Sequence, residues 1–447
     1  MVQRKTLAAL VALSFVQVQG ISLDASSVDS IKSAASTIAS GMVSYYDGNS
    51  TGNAPGVLSS PYFWWEGGAM FDTLIQYWHL TGDSQYNSIV SDALVQQQGP
   101  NSDFMPPNQT KSEGNDDQAI WALAAMSAAE LKFPEPSNTN WVSLAEAVFN
   151  DQAARWDTST CNGGLRWQIF TFNNGYDFKN TASNGLFFQL ASRLARYTGN
   201  TTYSDWASKV YSWSTEIGFV DSNFNVFDGA NTPVNCTSIN KVQFSYAAGT
   251  YISGAAYLFN TTKGNVQWKT ALDGLLNQTF SIFFPNGIAS EIACEPRQTC
   301  TVDMFAYKGI LAQQLIDTIQ MAPYTSSLIT PMLKTSAKAA ADACDGGSTG
   351  VECGFVWSGN ANSSDTGLGQ QLSALSYVQG LLLSEASIGT PSTGTTGGSN
   401  GTATTGGGAS STSTSTGPAA TVSKSAGERE RVGATVALLG LAAWMIL

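Results

Sequence analysis

From residue 24 to residue 388, apolar side chains recur at helical rather than alternating spacing, and the stretches fall into pairs. WHLTGDSQY at 78–86 and RYTGNTTY at 196–203 repeat one junction, an aromatic residue, Thr and Gly ahead of Asp or Asn and a Tyr. Gly suits the end of one helix and Asp or Asn the cap of the next. YLFNTTKGNVQW at 257–268 is a looser third copy. Their separations are close to one or two multiples of about 60 residues, the mark of stacked helical units.

This reading predicts twelve helices. The first of each pair lies near 27–46, 84–98, 138–156, 202–218, 264–283 and 324–344, and the second near 64–81, 116–132, 182–198, 243–259, 302–321 and 367–387. The second set, typified by FSYAAGTYISGAAYLF, is apolar on every side, which is the pattern of a buried helix. Six buried helices inside six amphipathic ones make an all-α fold, an (α/α)6 barrel, with strands rare or confined to loops. A closed ring cannot be divided without exposing its core, so residues 21–388 read as one domain.

The ends of the chain read differently. MVQRKTLAALVALSFVQVQG, residues 1–20, has the basic start, apolar run and small-residue end of a signal peptide. Residues 389–424 are almost wholly Gly, Ser, Thr and Pro, too polar to offset chain entropy by burial, and predict a disordered, O-glycosylated stalk. Residues 425–447 join a charged spacer to a terminal apolar tail, as in a removable glycosylphosphatidylinositol (GPI) signal, with attachment near Ser423 or Ser425. A tail-anchored span is the alternative, although the tail is shorter than the roughly 20 residues a spanning helix needs. Acceptor sequons at Asn49, Asn108, Asn200, Asn235, Asn260, Asn277 and Asn362 agree with secretion and belong on the surface.

Six cysteines in an oxidising compartment pair in one of 15 ways. Short loops favour Cys294–Cys300 and Cys344–Cys353, leaving Cys161–Cys236. None has zinc-ligand spacing, and with His79 as the lone histidine a His-based metal site is nearly excluded. A Ser-His-Asp triad would need His79 too, and no Gly-x-Ser-x-Gly elbow is present. A formal charge of −12 disfavours nucleic acid and anionic lipid as partners. Neutral ligands remain, and 12 tryptophans offer the flat faces that sugar rings stack on.

In the predicted ring, the loops before the inner helices gather at one end. They bring together Trp64, Trp65 and Glu66; Asn115, Asp116 and Asp117; Asp177, Lys179, Asn180 and Asn184; Gln243 and Tyr246; and Asp303 with Lys308. Asp116 and Asp117 can be read as ordinary acidic residues at a helix start, where they favour the dipole. One would suffice for that. Two adjacent carboxylates repel, which raises the pKa of one towards a proton donor. An ionised and a protonated carboxyl are what glycoside cleavage needs, and neighbouring residues can reach the roughly 5–5.5 Å spacing of a retaining enzyme. Trp64 and Trp65 can equally be core or sugar platform, and Asp177, Lys179 and Asn180 can equally be cap and loop.

EGNDDQAIWALAAMSAAE, SPYFWWEGGAMFDTLIQYWHLTGDSQY, FKNTASNGLFFQLASRLARYTGN, FSYAAGTYISGAAYLFN and DMFAYKGILAQQL together resemble glycoside hydrolase family 76, and within it the fungal GPI-anchored cell-wall mannosidases. The resemblance covers roughly residues 24–388. It implies the same barrel, retaining cleavage of α-1,6-mannosidic bonds, Asp116 as nucleophile and Asp117 as general acid/base. It further implies a transglycosidase that cuts the mannose core of a GPI anchor and joins the protein to wall β-glucan, a monomer held to the membrane by its own GPI lipid and using no metal or cofactor. Two other readings stay open: a non-catalytic mannan-binding wall protein on the same fold, and an inverting glucanase whose second carboxylate is Glu66 or Asp303.

Overall fold

Left-handed glycines divide the chain into helices where the repeated junctions predict it, but Asp83 does not cap the helix that follows: that helix starts at Asn87 behind Tyr86, and Asp83 accepts instead from the Gln85 N–H. Gly82 and Gly199 end their helices at φ 80° and 71°, a conformation that costs glycine little. Asn200 and Asn265 then cap the next helices, accepting from the Thr202 and Gln267 N–H groups.

The structure is a computed structural model that describes residues 20–358 and 365–383. All but the last residue of the expected signal peptide, the stalk and the GPI signal with Ser425 lie outside those residues, as does Asn362. The helices are α1 (Val28–Val43), α2 (Trp64–Thr81), α3 (Asn87–Gln97), α4 (Asn115–Glu130), α5 (Trp141–Ala154), α6 (Thr181–Thr198), α7 (Thr201–Glu216), α8 (Ser245–Thr261), α9 (Val266–Phe283), α10 (Tyr307–Met321), α11 (Ser326–Asp342) and α12 (Leu368–Gly380). The even-numbered helices are buried along nearly their whole length. Each packs on the next, and α12 closes the ring on α2. The odd-numbered helices bury one face against this inner ring and present the other to solvent. The fold is an (α/α)6 barrel.

Polar side chains cross the ring well below its cleft end. Gln313 Nε2 reaches Thr73 Oγ1 at 2.6 Å, Gln189 Nε2 reaches Ser253 Oγ at 3.1 Å, and Arg193 pairs with Glu130 at 2.8 Å. Tyr257 donates to the same Glu130 oxygen at 2.8 Å. Buried polar groups left unpaired are costly, so these bonds select one register of the inner helices.

Two long loops before α6 and α8 build a small antiparallel sheet, β1 (Phe178–Asn180), β2 (Gly229–Asn231) and β3 (Ile239–Asn240), in that order. Lys179 sits opposite Ala230 in the register. The Cys161–Cys236 disulfide ties the same two loops beside a minor core containing Trp213 and Phe219. Cys294–Cys300 and Cys344–Cys353 close short loops on the same chain. Five of the six described sequon asparagines are exposed; Asn260 is half-buried, its amide donating to the Met321 carbonyl at 2.9 Å. Among the described residues no helix is long and apolar enough to cross a membrane.

Candidate active site

Because each inner helix runs in the same direction, their N-termini converge at one end of the ring, where they present backbone N–H groups without intrahelical partners. A cleft of about 250 Å³ opens there. Its floor carries Asp116 and Asp117 on the first turn of α4, and Ile120 one turn deeper. Asp228, on the loop entering β2, and Asp303, ahead of α10, add two more carboxylates. No lysine or arginine lines the cleft among the described residues.

The two adjacent aspartates are held differently. Asp117 Oδ2 accepts the Gly114 N–H at 2.7 Å, and Asp116 Oδ1 accepts the Asp117 N–H at 3.1 Å. The Asn180 side chain, whose oxygen caps α6 by accepting from Ser183 N–H at 3.1 Å, adds a second favourable contact to the Asp116 carboxyl. Burial raises both pKa values, Asp116 well above the usual carboxylate range with repulsion from Asp117 adding to the shift, and Asp117 to about 6. The two titrate as a unit that keeps a proton through mildly acid pH. Behind them Glu113 is buried with neither carboxyl oxygen hydrogen-bonded, and burial, with Asp117 next in effect, pushes it to about 8. Asp228 is raised to about 6 by burial, against a 2.8 Å hydrogen bond from Asn240.

Aromatic rings form much of the remaining surface. Tyr246 and Tyr307 have centroids 4.1 Å apart, Phe244 meets Tyr307 edge-on at 5.7 Å, and Trp65 lies 6.2 Å from the same ring. Trp167 also lines the cleft and is 37% exposed. Its segment is tied to the aspartate helix: the Asn115 N–H donates to the Trp167 carbonyl at 2.8 Å, and Gln168 bridges Gly114.

Of the residues singled out in the sequence, Asp116, Asp117, Trp65, Asn180, Tyr246 and Asp303 meet in this cleft. The others do not. Trp64 turns into the core, stacked on Trp121 at 5.3 Å with its indole N–H on Gln97. Asn115 lies behind the pair, bonded to the Arg166 carbonyl and to Arg155. Lys179 is fully buried beneath the loop, where its ammonium donates to the carbonyls of Asp157, Thr160 and Gly163 and pairs with Asp157 at 3.2 Å. Asn184 holds both the N–H and carbonyl of Leu165, Asp177 is exposed beside Arg166, and Gln243 reaches Asn225. These six support the cleft's walls or lie outside them. Lys308 is likewise buried, paired with Glu295 at 2.9 Å. Glu66 lies under the surface, its carboxylate accepting the Phe63 N–H at 2.7 Å, and does not line the cleft.

Asp228, Trp167, Phe178 and Tyr307 line the cleft without having been singled out. Tyr307 had a signal, since it follows Asp303 at helical spacing. Asp228 and Trp167 sit in irregular loops, where no periodicity points inward.

An (α/α)6 ring with paired carboxylates in an aromatic cleft has the build of a carbohydrate-active enzyme. The family model for glycosyl hydrolase family 76 matches residues 30–393, and the chain belongs to that family. It is 43% identical over 373 residues to the mannan endo-1,6-alpha-mannosidase DFG5 of Saccharomyces cerevisiae, covering 83% of this chain and 81% of the relative. The mannan endo-1,6-alpha-mannosidase DFG5 of Candida albicans is 38% identical over 401 residues, covering 88% of each chain. The crystal structure of Dfg5 from Chaetomium thermophilum in complex with glucosamine superposes with a TM-score of 0.77 at 44% identity, over 80% of this chain and 92% of that one. The GH76A alpha-1,6-mannanase of Salegentibacter sp. HEL1_6 has the same fold, with a TM-score of 0.63 at 18% identity over 78% and 98% of the two chains.

Proposed function

We propose that the chain is a retaining endo-α-1,6-mannosidase of the cell surface that also transfers the mannosyl group it releases. The carrying observation is the adjacent Asp116 and Asp117 at the floor of an aromatic-lined cleft, with one proton shared between them. The fungal relatives named as mannan endo-1,6-alpha-mannosidases support the substrate.

In this reading Asp116 attacks the anomeric carbon while Asp117 donates its proton to the departing glycosidic oxygen, giving a mannosyl ester on Asp116 and a free sugar hydroxyl. Burial and repulsion leave the shared proton with Asp116 before substrate binds. In this reading it passes to Asp117 on substrate binding, after which the Asp117 N–H and Asn180 contacts support Asp116 as the anion. Asp117 then takes the proton of water or of a second sugar's hydroxyl, whose oxygen displaces Asp116 with net retention. The further carboxylates of Asp228 and Asp303 favour the positive charge that develops on the sugar ring in both transition states. The residues supply acid, base and nucleophile without a metal or cofactor.

The same negative cleft suits a cationic amino sugar, and the Chaetomium relative was solved with glucosamine. That supports the mannose core of a GPI anchor, which carries a glucosamine, as donor; wall β-glucan is added as the acceptor in this reading. The composition of residues 1–20 and 389–447 supports secretion and GPI anchorage at the outer face of the plasma membrane and in the cell wall; in this reading the chain is taken as a monomer. An inverting glucanase has one observation on its side, the Asp303 carboxyl in the same cleft. Incubation with a mannosylated GPI-core glycan and β-glucan oligomers, read by mass spectrometry, separates the readings. Products carrying mannose on glucan support transfer; cleavage of glucan with the GPI core untouched overturns the proposal.

A further inference from the structure

Two aromatic rings stand clear of the cleft, and the chemistry above makes no use of them. Phe170 and Phe172 stack with centroids 5.4 Å apart and planes inclined by 15°. Phe172 is 68% exposed, so one face rests on Phe170 and the other is open. Single exposed apolar residues are common on protein surfaces. A ring backed by a second ring in a tied loop is different, because its orientation is set before any ligand arrives.

The loop is tied at several points. The Asn173 N–H donates to the Phe170 carbonyl at 3.0 Å, closing a turn that brings the two rings together. The Asn173 amide donates to the Thr110 carbonyl at 3.2 Å and to Gln168 Oε1 at 3.1 Å. At its root the Ile169 N–H meets the Glu113 carbonyl at 3.4 Å, Gln168 bridges Gly114, and Trp167 lines the cleft. Phe172 lies four positions along from Gln168, so their α-carbons are at most about 14 Å apart. The two rings therefore share one tied loop with the cleft residue Trp167, within the reach of a few sugar residues.

We propose that Phe172, backed by Phe170, is a distal glycan platform that stacks on a sugar ring of the α-1,6-mannoside chain beyond the reacting residue. The inference rests on the mannoside reading of the cleft. Its place in the same loop as the cleft residue Trp167 favours a glycan over a membrane, and so does charge: an interfacial element normally sets basic residues beside its aromatics, whereas residues 168–178 have no lysine or arginine and carry the exposed Asp177.

The test is binding of linear α-1,6-mannooligosaccharides of increasing length to the full chain in an Asp116→Asn background, by titration calorimetry. Affinity is expected to rise about 5- to 10-fold once the oligosaccharide is long enough to reach the loop. Phe172→Ala should remove that rise and Phe172→Trp should keep it, with no change in melting temperature. A length dependence untouched by Phe172→Ala overturns the platform but leaves the mannoside cleft standing. No binding at any length overturns the mannoside reading itself, and the platform with it. Co-sedimentation with phosphatidylcholine vesicles that Phe172→Ala abolishes, beside an unaltered length dependence, gives the ring to a membrane and also overturns the proposal. Equal length-dependent tightening by β-1,3-glucan oligomers would contradict its assignment to the mannoside chain.

Discussion

Gly114 donates its backbone N–H to Asp117 Oδ2 at 2.7 Å, and the Asp116 carboxylate fills the space that a side chain at Gly114 would need. The backbone there is extended, with φ −98°, so the demand for glycine is steric rather than conformational. Both acidic groups are positioned by the residue that precedes the helix. Gly114→Ala should displace them and lower kcat/KM on an α-1,6-mannoside by about 100-fold, with a melting temperature close to that of the unaltered chain. Activity within a factor of two would mean that the pair tolerates displacement and that Gly114 does not position it.

Asp116→Asn and Asp117→Asn should each reduce turnover by about 10⁴-fold. Neither should lower the melting temperature at pH 7. Each raised carboxyl is easier to ionise in the unfolded chain than in the folded one, so its neutral amide relieves the native state of that burden. A variant that loses activity only because it has unfolded would be exposed by circular dichroism, and would leave the catalytic assignment without support.

Lys179 tests the distinction between support and contact. Its ammonium satisfies three carbonyls and pairs with Asp157 at the base of the loop carrying Trp167, Phe178 and Asn180. Lys179→Met should cost about 3 kcal/mol of stability and lower activity through loss of the loop's shape. A raised KM with unchanged thermal stability would instead make Lys179 a substrate contact.

Stability should be greatest in mild acid. Burial raises Glu66, Glu113 and Glu291 to about 8, Asp317 to about 7 and Asp72 to about 6. A group whose pKa is higher folded than unfolded contributes stability that is complete below the unfolded value, about pH 4, and is lost as pH rises through the folded value. Asp157 works in the opposite sense. Burial opposes its ionisation, but hydrogen bonds from Ser159 and Thr160 and the Lys179 charge outweigh that, holding it far below the usual range and supporting the fold at all but strongly acid pH. The melting temperature should therefore fall from pH 5 to pH 8, and Glu113→Gln should flatten part of that slope. A rise over the same interval would contradict the buried-carboxyl assignment.

The ring itself was legible because its signals are local. A left-handed glycine followed by an asparagine cap is a property of a few residues, and it recurs at Gly199 and Gly264, while Gly82 shares the left-handed turn without the cap. The all-round apolar character of α8 and its fellows likewise follows from composition along one helix. Which residues face the cleft is set by the phase of each helix start and by loops that cross from elsewhere. Trp64 and Trp65 are neighbours, yet one points into the core against Trp121 and the other into the cleft, because successive residues on a helix differ by about 100°. Lys179 sits in a strand between two cleft residues, Phe178 and Asn180, and the alternation of a strand sends it to the opposite side. Asp228 reaches the cleft only through the pairing of β2 with β1, a contact between segments some 50 residues apart that no local pattern encodes.

The most direct test of the central claim is the fate of the sugar. With an α-1,6-mannobiosyl fluoride, whose leaving group departs without a proton from residue 117, the Asp117→Asn chain should load but not discharge. After an acid quench, mass spectrometry of the peptide spanning residues 113–121 should find a mannosyl ester on Asp116; the unaltered enzyme should release α-configured product first. A first-formed β-product, or a sugar bound to any other side chain, would contradict the account.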